Sequence, residues 1–101
     1  MAELPPPIEP DRLVHEPGRL AVLAVLNAIE KADFLFLLDQ TGLTKGNLSS
    51  HTAKLEAAGY VDVEKAFVGK IPRTVYRLTE TGQQALAAYR DHMAGVFDAI
   101  G

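Results

Sequence analysis

No cysteine occurs in the 101 residues, which removes disulfides, thiolate catalysis and cysteine-based metal sites from the chemistry open to this chain. Long apolar runs are missing too, and nothing approaches the roughly 18 uncharged apolar residues that a membrane helix requires. The start, MAELPPPIEPDR, has neither the positive segment nor the apolar stretch of a secretion signal, so the protein is expected to remain in the cytoplasm. Histidines are sparse and isolated: His15, His51 and His92 form no pair at i, i+4, and no metal site is expected. No glycine-rich phosphate loop, GxSxG elbow or paired carboxylates in a structural context are found, so catalytic residues, cofactors and enzyme activity are not expected. Positive charge is also short. A formal net charge of -3 is not the bulk signature of a nucleic-acid binder.

The distribution of that charge is more informative. Thr44 to Leu78 carries six basic and three acidic residues, a local excess of +3 that leaves -6 on the rest. This asymmetry predicts a basic working face on an acidic body. At 48% hydrophobic and 23% charged residues the composition is that of a folded domain. The length suits one domain over residues 11–101, preceded by a Pro-rich arm, residues 1–10, read as extended or disordered.

Along the chain, Asp11 to His15 can form one helical turn, and Pro17 suits the first position of the next helix, where its missing N–H costs nothing. LAVLAVLNAI, Leu20 to Ile29, is apolar almost all round and predicts a helix buried on most of its surface. Glu30 to Asp33 reads as a polar break. Asp33 can cap a short helix from Phe34 to about Gln40, stopped by Gly42. Thr44 then caps a helix running to Ala58. Two short helices joined by a glycine-containing turn are a helix-turn-helix arrangement. Leu48, Thr52 and Leu55 share the inner side of the second helix. Gly46, Asn47, Ser50, Ala53 and Lys54 lie broadly opposite, on a small, polar, acid-free face of the kind that can enter a major groove.

After Gly59, VDVEKAF and RTVYRL alternate as two strands around a VGKIP turn, with Lys70 and Arg73 flanking the tip. Basic residues there suit phosphate or minor-groove contact, and equally suit protection of an exposed sheet edge. Thr79 can cap a last helix whose stripe of Leu86, Tyr89, Met93, Val96, Phe97 and Ile100 exceeds what so small a body can cover. Dimerisation through this stripe is the leading expectation, and folding back onto the chain's own core is the alternative. The fold class expected is mainly α with a two-stranded β wing (α+β), a winged helix-turn-helix whose N- and C-terminal helices form a dimer interface.

LTKGNLSSHTAKLEAAGYVDVEKAF followed by GKIPRTVYRLTETG closely resembles the small winged-helix transcriptional regulators of bacteria and archaea related to the ArsR and MarR types. The likeness covers roughly Leu13 to Tyr89. Its most specific parts are Leu48, Ser49, His51, Leu55, Ala58 and Gly59 before a β-branched strand, and Tyr76-Arg77-Leu78-Thr79 leading to Gly82. The resemblance implies a homodimer on operator DNA, with the 44–58 helix in the major groove and the wing, 68–73, on the backbone or minor groove. By position it makes Lys45, Asn47, Ser49, Ser50 and Lys54 groove or phosphate residues, and Lys70 and Arg73 wing contacts. Thr52 departs from the usual leucine. ArsR-type metal sensors place Asp-x-His and a later His-x-x-Glu on the last helix, whereas Asp91 and His92 are adjacent here and no histidine follows. A small-molecule effector could sit between the end helices, but no residue cluster identifies one. A winged helix serving as a protein interaction module without DNA is the competing reading.

Overall fold

The computed structural model describes residues 10–101, so the arm expected over residues 1–10 lies outside it except for Pro10. Over the described residues the elements run α1 (Pro17–Ala28), β1 (Ala32–Asp33), α2 (Phe34–Thr41), α3 (Lys45–Ala57), β2 (Val61–Val68), β3 (Ile71–Leu78) and α4 (Glu80–Ile100).

Short-range hydrogen bonding sets the helix boundaries. Asp33, Thr44 and Thr79 accept from the N–H groups of Phe36, Asn47 and Gly82, each satisfying a donor left open in the first turn. At α1 the cap is Glu16, whose two carboxylate oxygens accept from Gly18 and Arg19 at 2.9 Å each. Pro17 takes the first helical position. Gly42 and Gly59, at φ 69° and 78°, end α2 and α3 in the left-handed region that other residues enter at a cost.

Val22, Leu23 and Leu26 of α1, Leu37 of α2, Leu48 and Leu55 of α3, and Val61, Tyr76 and Leu78 of the sheet form the core. Burying each leucine is worth about 1.5–3 kcal/mol, so Leu48 and Leu55 anchor α3 firmly. Burial of α1 is narrower than its apolar sequence predicts: Leu20, Ala21 and Val25 are half-buried and Ala24 is exposed. The apolar residues of that outer flank are only partly covered by the described residues, Leu20 and Val25 packing at the edge of the core.

The sheet has three strands in the order β1-β3-β2, all neighbours antiparallel. Ala32 and Asp33, which read as part of a polar break, pair with Tyr76 and Val75 and add a short third strand to the expected two. The turn between β2 and β3 is tighter than the VGKIP reading. Only Gly69 and Lys70 lie between the strands, and Ile71 and Pro72 belong to β3, opposite Val68 and Phe67. Pro72 is tolerated there because β1 reaches only Val75 and Tyr76, leaving β3 with a single neighbour near the tip.

At 21 residues, α4 is about 31 Å long. Its first turns rest on the body, where Gly82 is buried and Ala85, Leu86 and Tyr89 pack at the edge of the core. Its last turns stand clear, with Phe97 61% and Ile100 74% exposed. The stripe therefore divides: Leu86 and Tyr89 fold back on their own chain, Met93 and Val96 are half-buried, and Phe97 and Ile100 remain open.

Candidate nucleic-acid interface

The register of α3 gives it two chemically distinct sides. Leu48, Thr52 and Leu55 are buried, whereas Lys45, Gly46, Asn47, Ser49, Ser50, Ala53 and Lys54 are exposed. Among the described residues, the side chains of Lys45, Asn47, Ser49, Ser50 and Lys54 make no hydrogen bond or ion pair within the chain. Their amides, hydroxyls and ammonium groups face outward unspent, as a surface that must meet another polymer requires. Glu56 is the only acid of α3 and lies in its last turn, beside Lys54. Thr52, where leucine was expected, is satisfied inside: its hydroxyl donates to the Ser49 carbonyl at 3.1 Å. It also meets Tyr76. Burial, reinforced by the Glu56 charge and opposed by the Thr52 hydrogen bond, pushes the Tyr76 hydroxyl pKa upward.

Beside α3 stands the β2–β3 hairpin. A groove of about 340 Å³ separates the two, walled by Ser49, Thr52, Ala53 and Glu56 on the helix and by Val63, Lys65, Thr74 and Tyr76 on the sheet. Lys70 occupies the two-residue tip and is exposed. Arg73 is placed differently from a tip residue. It stands opposite Ala66 and reaches back to the Asp33 carboxylate at 3.3 Å, joining β3 to the cap of α2. Part of its charge is thus committed within the chain, although its side chain is 46% exposed.

A helix, a turn, a second helix with an unspent outer face and a hairpin alongside define the architecture. The family model described as "Winged helix DNA-binding domain" matches residues 19–96. The chain belongs to that family. The winged-helix domain is 34% identical over 71 residues to an uncharacterised protein of Methanocaldococcus jannaschii, covering 70% of this chain and 77% of the relative. Among solved structures it is similar to a transcriptional regulator homologue from Pyrococcus horikoshii OT3, with a TM-score of 0.83, 30% identity and 89% of each chain covered. It shares its fold with a MarR-family transcriptional regulator from Silicibacter pomeroyi, with a TM-score of 0.70, 22% identity, and 88% and 59% of the two chains covered.

Behind the winged-helix face, a polar strap from Asp11 to Arg19 supports α3 and α4. The Tyr60 hydroxyl, just past the end of α3, donates to Asp11. Nδ1 of His15 lies 2.7 Å from the Tyr89 hydroxyl of α4. His51 of α3 meets Glu16 through Nε2 at 3.4 Å and Arg19 through Nδ1 at 3.2 Å. It thus holds a hydrogen-bonding place at the edge of the core. Burial raises the Glu16 pKa, but the Gly18 and Arg19 N–H groups and the nearby His51 and Arg19 charges together hold it below the ordinary value.

The hydrogen bond to Asp11, followed by burial and the Asp11 charge, pushes the Tyr60 pKa from 10.0 up to about 12. A folded-state pKa above the unfolded one means the contact stabilises fully below about pH 10, and that this contribution is lost as pH rises towards about 12. Tyr60→Phe is therefore expected to remove the latest step of an absorbance-monitored alkaline titration and to lower stability at neutral pH by about 1 kcal/mol. An unchanged late step in the variant would place that ionisation elsewhere.

Of the residues placed in the interface from sequence, Lys45, Asn47, Ser49, Ser50 and Lys54 are all exposed on one helix, with Asn47, Ser50 and Lys54 on its outermost side, and Lys70 sits at the wing tip. Arg73 is set back from them at the Asp33 contact. Lys65 was missing from that set. It lines the groove between helix and wing, its ammonium donating to the Thr74 hydroxyl at 3.2 Å. The signal for it was its alternation with Val61 and Val63, which puts a cation on the strand face turned towards α3.

Proposed function

We infer that the protein is a sequence-specific, double-stranded DNA-binding transcriptional regulator acting as a cytoplasmic homodimer. In this reading α3 is the recognition helix in the major groove, and the wing lies on the backbone or minor groove. The observation that carries it is the outer side of α3, unspent within the chain and without a carboxylate from Lys45 to Leu55. A helix about 10–12 Å across with its side chains fits a groove about 12 Å wide, and the short Gly46, Ser49, Ser50 and Ala53 side chains of α3 permit close approach. Membership of a DNA-binding family and likeness to transcriptional regulators support the same reading.

The dimer would form through α1 and α4. Leu20, Leu86, Met93 and Phe97 line an apolar groove of about 360 Å³ between these helices, continuous with the exposed end of α4. A two-fold pair would present two recognition helices to a palindromic site, with half-sites about one helical turn apart or a multiple of that.

Salt tests the interface. Lys54→Ala and Lys70→Ala are each expected to weaken duplex binding and to reduce the slope of log affinity against log salt by about 0.9. Arg73→Ala should weaken binding with a smaller change in slope, because its guanidinium is already paired. Unchanged affinity and slope in all three variants would sink the proposed surface. Exposed Leu35, Phe67, Val68 and Ile71, on α2 and around the wing tip, favour a protein contact as a second reading. A protein partner retained by the wing, with no duplex bound even at low salt, would decide for it.

A further inference from the structure

The wing divides its apolar residues between two faces. Directly opposed residues of an antiparallel pair point to the same side, so Val63 with Tyr76, Lys65 with Thr74 and Phe67 with Pro72 share one face, and Ala66 with Arg73 and Val68 with Ile71 share the other. On the second face Ile71 lines a hollow with Leu35 of α2. The first face is the one that meets α3: its inner pairs wall the groove beside that helix, and Phe67 and Pro72 continue it towards the tip. Phe67 is 70% exposed, and Pro72 is exposed beside it.

This apolar ridge is stiff. Gly69, at φ 64°, opens a two-residue turn whose twist suits a hairpin. Val68 and Ile71 close that turn, which makes Phe67 and Pro72 the next pair, one without mutual hydrogen bonds and with side chains at their closest. The missing N–H of Pro72 therefore costs the pairing with β2 nothing, while its ring fixes φ. The Arg73 contact with Asp33 at 3.3 Å ties β3 to the cap of α2.

The charge around the ridge is one-sided. From Lys65 to Thr74 the ribbon carries the cations Lys65, Lys70 and Arg73 and no carboxylate. Glu64 belongs to the other face, and Glu56 stands on the far wall of the groove. A protein partner or a second copy would need about 800 Å² of contact on each side, whereas one phenylalanine supplies about 150–250 Å². Cations around a narrow apolar ridge suit an occupant with phosphates outside and flat apolar faces within. The base stack of a duplex has that chemistry, and the ridge continues the face that already borders α3.

We propose that Phe67, backed by Pro72, is a wedge that enters the minor groove flanking the major groove occupied by α3, partly unstacks one base step and bends the duplex. This rests on the DNA-binding reading above. It adds a demand on sequence that needs no hydrogen bond to a base: pyrimidine–purine steps such as TA and CA/TG kink most readily, so one is expected under the wing.

The test uses the full chain and a duplex it selects from a random pool, labelled at its ends for energy transfer and carrying 2-aminopurine in place of successive adenines. Binding should raise 2-aminopurine emission at one step outside the stretch covered by α3, and should bring the duplex ends closer. Phe67→Ala should abolish both signals and weaken binding about tenfold, with the salt slope unchanged because no phosphate contact is lost. Its exposed position leaves the fold intact. Lys70→Ala should do the reverse, lowering the slope and keeping the emission change. Unperturbed stacking throughout the bound duplex, or an emission change that survives Phe67→Ala, would overturn the wedge alone. So would a Phe67→Ala variant that lost only self-association in sedimentation, or only binding to phosphatidylserine vesicles, with its duplex behaviour kept. Failure of the parent chain to retain any duplex at low salt would instead overturn the DNA-binding reading, and the wedge with it.

Discussion

Gly82→Ala is expected to destabilise the fold by about 3 kcal/mol, although alanine is the better helix former by about 1 kcal/mol. A Cβ at this position would lie 2.2 Å from the Tyr60 carbonyl oxygen and 2.7 Å from Leu78 Cδ1. The first contact is with backbone and cannot be relieved by a rotamer change. The same carbonyl accepts from the Thr79 N–H at 3.1 Å, and the Thr79 hydroxyl donates to the Gly59 carbonyl at 2.6 Å while accepting from Gly82. The start of α4 is thus fastened to the turn that ends α3, and relief of the clash requires separating them. Gly95→Ala supplies the control on the same helix: no atom lies within 4 Å of its added Cβ, so a gain of up to about 1 kcal/mol is expected. Urea denaturation with comparable m-values compares the two directly. Equal effects of the two substitutions would show that the Tyr60 contact does not limit the packing.

Phe97→Glu is expected to separate the proposed dimer while leaving the isolated fold nearly untouched. In one chain Phe97 is 61% exposed, so the substitution should alter monomer stability by no more than about 0.5 kcal/mol. Across a two-fold contact it would put two carboxylates into an apolar seam with Leu20, Leu86 and Met93, at a cost of about 3 kcal/mol or more, which is over a hundredfold in dissociation constant. Sedimentation should show monomers, and binding to a two-site duplex should fall with it. A parent protein that sediments as a monomer would refute the dimer outright.

The contrast between these positions indicates what could be read from the chain. Asp33, Thr44 and Thr79 were legible as caps because a cap depends on a donor three residues away. Leu48 and Leu55 were legible because helical periodicity separates them from Asn47, Ser50 and Lys54. Glu16 was not read as the cap of α1, since glutamate seldom takes that role and Pro17 marked only the next residue. Two-residue β1 carries no periodicity and exists because β3 returns beside it, more than 40 residues later. The Arg73–Asp33 pair and the Arg19–His51 contact are likewise long-range, the second spanning 32 residues. Neither contact leaves a local pattern, so sequence could not name the partners. Ile71 and Pro72 were read as turn because proline usually marks one, whereas a strand with one free edge accommodates it.

The wing's pairing runs without a bulge from Val61 opposite Leu78 to Val68 opposite Ile71, closed by only Gly69 and Lys70. Its length is therefore quantised. Inserting one residue in each strand below the tip would turn Lys70 to the opposite side of the ribbon, whereas two in each would restore its orientation and carry it about 7 Å farther out. Anyone grafting a longer wing onto this scaffold, or comparing wings among its relatives, should count in pairs.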